Sequence, residues 1–170
     1  MGRLGFVGLI CSGVSLGLIV ISMAIPYWVR RVIMYNNEVS TVKVFGLWMH
    51  CTLDKDEKEA TCYESEKVYE FVLAVRAFVL MGLFLVTSAA ILKIIHLLVQ
   101  KENQNISILA GVIAIGAGIC MLIAVVIFAG RSNKLAEKET VNYHVGFALA
   151  VIAGIVALVS GVMFIVGKSD

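Results

Sequence analysis

Residues 4–25 read LGFVGLICSGVSLGLIVISMAI, 22 residues without one charged side chain. About 20 residues of α-helix, rising 1.5 Å each, cross a hydrocarbon core of about 30 Å. The stretch therefore reads as a membrane-spanning helix. Ser22-Met23-Ala24 also fits the small-x-small pattern of a leader cleavage site. The apolar run, however, exceeds the roughly 7–15 residues of a leader core, and Pro26 crowds the cut. A retained span is expected.

Three further runs match the first. Phe71–Leu92 is interrupted only by Arg76, while Ile106–Gly130 and Val145–Gly167 carry no charge. The expected architecture is an α-helical membrane protein of one domain, residues 1–170. Its spans run over about 4–25, 71–92, 106–130 and 145–167, and an even number of spans puts both termini on one side. Composition agrees: hydrophobic residues make up 60% and charged residues 15%, against about 50% and 25% in soluble domains. A net charge of +2 without a basic cluster argues against a nucleic-acid partner.

Helices in lipid approach closely where small residues line the contact. Gly13-x-x-x-Gly17 in the first run has this pattern, as do Ala110, Ala114 and Gly118 in the third. The fourth carries Gly146, Ala150, Gly154, Ala157 and Gly161. Three small-residue stripes are therefore expected to pack the bundle.

The connection over residues 26–70 is long enough to fold by itself. Tyr27–Met34 and Val39–Cys51 are rich in β-branched and aromatic residues, with the turn-forming Asn36-Asn37 between them. Leu47–Leu53 and Ala60–Tyr63 flank the charged segment Asp54–Glu59, which predicts a second hairpin. Cys51 and Cys62 are the plausible disulfide pair, whereas Cys11 and Cys120 lie in apolar runs. Such a bridge stabilises by about 3 kcal/mol in the chain-entropy model and persists in oxidising compartments. It places residues 26–70 outside the cytosol. The count of Lys and Arg points the other way: Arg3, Lys93, Lys101 and Lys168 lie on the side of the termini, and nine basic residues lie opposite. A folded loop module need not obey that count, so the disulfide argument is preferred.

Trp28, Gly46-Leu47-Trp48, Cys51, Cys62 and Arg76-Ala77-Phe78 resemble the W…GLWxxC…C signature of the claudin superfamily. That superfamily includes peripheral myelin protein, epithelial membrane proteins and channel-associated gamma subunits. Tyr143-x-x-Gly146-Phe147 is similar as well. The resemblance implies cytoplasmic termini and a four-helix bundle carrying an extracellular antiparallel sheet of five strands. It also implies that Trp48 and its neighbours wedge the sheet onto the bundle.

Individual polar residues are read as follows. Arg76 is the one charge within a run and is expected to donate hydrogen bonds to backbone carbonyls of the first loop. His50 beside Cys51 and Cys62 is too small a set for zinc, which takes three or four convergent ligands, and the thiols are better used in the bridge. His96 and His144 are expected at the membrane interface. Asn105-Ile106-Ser107 is a glycosylation sequon on the cytosolic side, expected to be unused. No catalytic or cofactor constellation is visible, so no enzyme activity, metal or cofactor is expected.

The resemblance implies a structural protein of cell–cell contacts at the plasma membrane, giving adhesion, a junctional barrier or paracellular selectivity. Its expected partners are membrane lipids and copies of itself or similar proteins, in the same and the opposed membrane. The alternatives are an auxiliary subunit of an ion channel and a membrane-organising protein. Asp54, Asp56, Glu57, Glu59, Glu64 and Glu66 are the candidates for charge selectivity, since acids lining a narrow path concentrate cations.

Overall fold

The computed structural model describes residues 3–35, 38–54, 61–64, 70–99, 104–134 and 140–167. Helices α1 (Arg3–Ala24), α2 (Glu70–Leu98), α3 (Gln104–Lys134) and α4 (Val145–Val166) are each long and apolar enough to cross a membrane. They close a ring in which α1 packs on α2 and α4, and α3 packs on α2 and α4. Large apolar side chains such as Phe84, Val112, Val126 and Ile155 point outward, as a bundle in hydrocarbon requires.

Two helices are longer than their uncharged runs. α2 passes through Lys93 to Leu98, because the helix turns the Lys93 side chain inward, where it finds a hydroxyl partner. α3 continues beyond Gly130 to Lys134, carrying its last turn up to the sheet.

Packing inside the ring rests on small and hydroxylated residues. A Cβ on Gly118 would lie 2.8 Å from the Gly154 carbonyl oxygen, and one on Gly161 would lie 2.7 Å from that of Gly111. The stripes of α3 and α4 thus bring two backbones together. The stripe of α1 does not: Gly13 and Gly17 have nothing within 4 Å of their Cβ positions. They lie on the outer face, a correction to the expected role. The inward face of α1 carries Ser12, Ser15, Ile19 and Ser22 instead, all buried. Ser12 and Ser160 hydroxyls meet at 2.6 Å, and Ser160 donates to the Gly8 carbonyl at 2.8 Å. Ser15 donates to the Ala153 carbonyl and Ser22 to that of Gly146. In hydrocarbon an unpaired polar group is costly, so each of these bonds ties α1 to α4 specifically.

The sheet has five antiparallel strands in the order β4-β3-β2-β1-β5. They are β1 (Val29–Tyr35), β2 (Glu38–Phe45), β3 (Met49–Asp54), β4 (Thr61–Glu64) and β5 (Thr140–Tyr143). The strand-favouring stretch 39–51 divides at Gly46 between β2 and β3, and β3 is the first arm of the expected second hairpin. There the Gly46 N–H donates to the Met49 carbonyl, turning the chain. A Cβ on Gly46 would stand 2.5 Å from Pro26 Cα, so only glycine lets this turn lie against the end of α1. β5 comes from the connection between α3 and α4. It adds to β1 through Val29↔Tyr143 and its neighbours.

Candidate functional site: the five-stranded sheet and its anchor

The sheet meets the bundle through Trp28, which is 0% exposed. Its ring packs edge-on against Phe128 of α3 at 5.0 Å and Phe147 of α4 at 6.4 Å. Its indole N–H donates to the Ser22 carbonyl at 2.8 Å, capping an acceptor left open at the end of α1. Its backbone donates to Phe45 and accepts from His144. One residue thereby joins α1, α3, α4 and β2. Gly146 explains itself here: a Cβ would lie 2.5 Å from Trp28 Cδ1, and its N–H donates to Tyr27.

Leu47, 1% exposed, fills the same core. Its carbonyl accepts from Arg76 Nε at 2.8 Å, which is the loop-carbonyl role expected of Arg76. The wedge expected at Trp48 is corrected. Trp48 is 39% exposed, and the Arg76 guanidinium lies 4.5 Å over its ring. Because Trp48 sits in the turn just after Leu47, successive side chains diverge, and only Leu47 can point into the bundle.

Cys51 and Cys62 form a disulfide between β3 and β4 and stand directly opposite in the register. The register also sorts the sheet into rows. On one face, Val29, Phe45, His50 and Tyr63 stand in line across β1 to β4. Phe45 stacks on His50 at 6.2 Å, and His50 lies 6.0 Å from Tyr63. His50 is thus part of an aromatic ladder. A second row on that face holds Arg31, Lys43, Thr52 and Thr61. Arg31 lies 5.3 Å over the Phe45 ring and donates to the Ser132 carbonyl of α3 at 3.4 Å. Met49 and Leu53, on β3, are exposed.

Of the candidate selectivity acids, Asp54 ends β3 opposite Thr41, and Glu64 ends β4 opposite Met49. Their side chains, and all of Asp56, Glu57, Glu59 and Glu66, lie outside the described residues.

Residues 3–164 match the model of the PMP-22/EMP/MP20/Claudin family. The chain belongs to that family. This structural membrane family supplies the reason for the signature: Trp28, Leu47 and Arg76 build the joint, Gly46 and Gly146 make room for it, and Cys51 and Cys62 clip the sheet beyond it.

At the opposite end of the bundle lies a cluster that the sequence reading missed. Lys93 was placed in a connection, but it is 1% exposed inside α2, so Arg76 is not the only charge in a span. Its ammonium donates to Ser107 of α3 at 2.6 Å, and Ser107 donates to the Phe164 carbonyl of α4 at 2.7 Å. A Cβ on Gly5 of α1 would stand 3.3 Å from Lys93 Nζ, so the amine also leaves no room for a side chain there. His96, expected at the interface, lies in the last turn of α2, one turn beyond Lys93; it is 8% exposed, and its Nδ1 is buried without a partner among the described residues. His144 is half-buried at the start of α4. Ser107 of the sequon is buried. The serine pattern 12, 15, 22 on one helical face was the available signal for the α1–α4 ladder. Nothing in the apolar run announced that Lys93 would turn inward.

Proposed function

We propose that this protein is a structural element of cell–cell contacts at the plasma membrane. Its sheet faces the extracellular space and its termini face the cytosol. The disulfide favours that orientation, because such bridges persist outside the reducing cytosol. The observation carrying the adhesive reading is the edge pair β3–β4, where Met49, Leu53 and Tyr63 are large, apolar and exposed on a sheet fixed rigidly to the bundle. A short edge strand with apolar neighbours is a pairing surface for another chain. Copies of this protein or similar ones would meet there, within one membrane and across the gap. Asp54, Asp56, Glu57, Glu59, Glu64 and Glu66 are the residues proposed to favour cations in any path enclosed between such sheets.

Expression in cells that lack junctional strands, followed by freeze-fracture imaging, tests the reading. Continuous strands at cell contacts are expected. Diffuse surface protein without strands, recovered in fixed stoichiometry with a channel, would replace it with the auxiliary-subunit reading. One observation favours that second reading: the outward face of α1 presents Gly13 and Gly17 with open space above them, where a foreign helix could lie close.

A further inference from the structure

We propose that Arg31 and Lys43 form a binding site for a small oxyanion of the phosphate or sulfate type, on the sheet face that looks toward α3. The starting point is the register. Arg31 on β1 stands directly opposite Lys43 on β2, and their side chains leave the same face of the sheet. Like charges in directly opposed positions repel and weaken a sheet. Among the described residues neither cation has a carboxylate in ion-pair reach. The backbone of Asp54 stands opposite Thr41, diagonal to Lys43, and its side chain lies outside the described residues.

The donors are also under-used. A guanidinium carries five N–H donors and an ammonium three. Among the described residues Arg31 makes one long hydrogen bond, 3.4 Å to the Ser132 carbonyl, and its Nε is buried without a partner. Lys43 is half-buried with no hydrogen bond among the described residues. The Arg31 guanidinium is held in place by the Phe45 ring beneath it, so it does not swing into open solvent. Thr52 stands opposite Lys43 and continues the row with a hydroxyl that can donate, while Thr61, opposite Thr52, donates its own hydroxyl to the Thr52 carbonyl at 3.4 Å. Two cations and the Thr52 hydroxyl, with no described acid between them, suit a multi-oxygen anion. Several oxygens can engage both cations at once, which a spherical chloride does poorly. Binding replaces the repulsion across β1 and β2 with two charge-assisted contacts. The site does not depend on the adhesive reading.

The test uses the full chain in nanodiscs of zwitterionic lipid. Thermal unfolding is followed in rising sodium phosphate against sodium chloride at matched ionic strength. Phosphate also stabilises proteins by general exclusion from their surface, so the comparison is between variants. Wild type should show a saturable rise in Tm that Lys43→Gln lacks, and calorimetric titration should show binding weakened about tenfold or more in Lys43→Gln, the weight of one charged hydrogen bond. Arg30→Gln, a neighbouring exposed cation, should retain the wild-type response. In phosphate-free chloride, Lys43→Gln should be at least as stable as wild type, because it removes the repulsion. Equal phosphate shifts in wild type and Lys43→Gln would overturn the site. So would a Lys43→Gln protein that is less stable than wild type in chloride alone, since Lys43 would then already have a partner.

Discussion

Trp28→Ala should destabilise this protein far more than Trp48→Ala, although both tryptophans belong to the family signature. Truncating a fully buried Trp costs about 3–5 kcal/mol through lost transfer energy and the cavity left behind. Trp28 is 0% exposed and packs on Phe128 and Phe147, so it falls in the upper half of that range. Its removal also strands the Ser22 carbonyl, which adds about 1 kcal/mol or more. The expected total is about 5 kcal/mol, a large part of the roughly 5–15 kcal/mol that holds a domain together. Trp48 is 39% exposed, and its defined contact is the Arg76 guanidinium at 4.5 Å. A contact of that kind is worth about 0.5–2 kcal/mol. At about 2–4 °C per kcal/mol for a chain of this size, the two variants should differ in Tm by 6 °C or more, taking the low end of the conversion and a gap of about 3 kcal/mol. Thermal unfolding of both variants in detergent, with surface labelling in cells, reads the difference. Equal losses, or a larger loss for Trp48→Ala, would refute the assignment of the joint to Trp28.

The remaining expectations concern the same joints. Arg76→Lys should cost about 1.5–3 kcal/mol despite keeping the charge, because the bond to the Leu47 carbonyl comes from Nε; thermal unfolding reads it, and no loss would mean that charge alone suffices. Gly146→Ala should cost about 1–3 kcal/mol by overpacking against Trp28. Gly13→Ala, in open space, should be neutral or stabilise by up to about 1 kcal/mol through helix propensity. Replacing Cys51 and Cys62 together by Ser should cost about 3 kcal/mol and loosen β3 and β4 in hydrogen exchange while the helices stay protected. Lys93→Met should change stability by less than about 1.5 kcal/mol, because Ser107 keeps its bond to the Phe164 carbonyl. Lys93→Glu, which buries an unpaired anion, should abolish folding as judged by monodispersity after extraction.

Hydrophobic run length alone determined the four helices, because a bilayer offers the backbone no partners and a helix is the structure that satisfies every N–H and C=O within one segment. The β-branched stretches likewise set the pairing of β1 with β2, the expected Asn36-Asn37 turn lying outside the described residues, and two cysteines in a polar loop set the clip. Which face of each helix looks inward was not legible, since a run that is apolar all round gives periodicity no contrast. Hence Gly13-x-x-x-Gly17 read as a packing stripe, yet it faces outward, and the serines of α1 take its place. Lys93 read as the start of a connection for the same reason. Only the neighbouring Ser107 and Phe164, distant in sequence, make its burial tolerable. The exchange between Trp28 and Trp48 belongs to the same class. Both are tryptophans of one signature, and what separates them is a turn at Gly46 pressed against Pro26, a contact between residues brought together only when sheet and bundle meet.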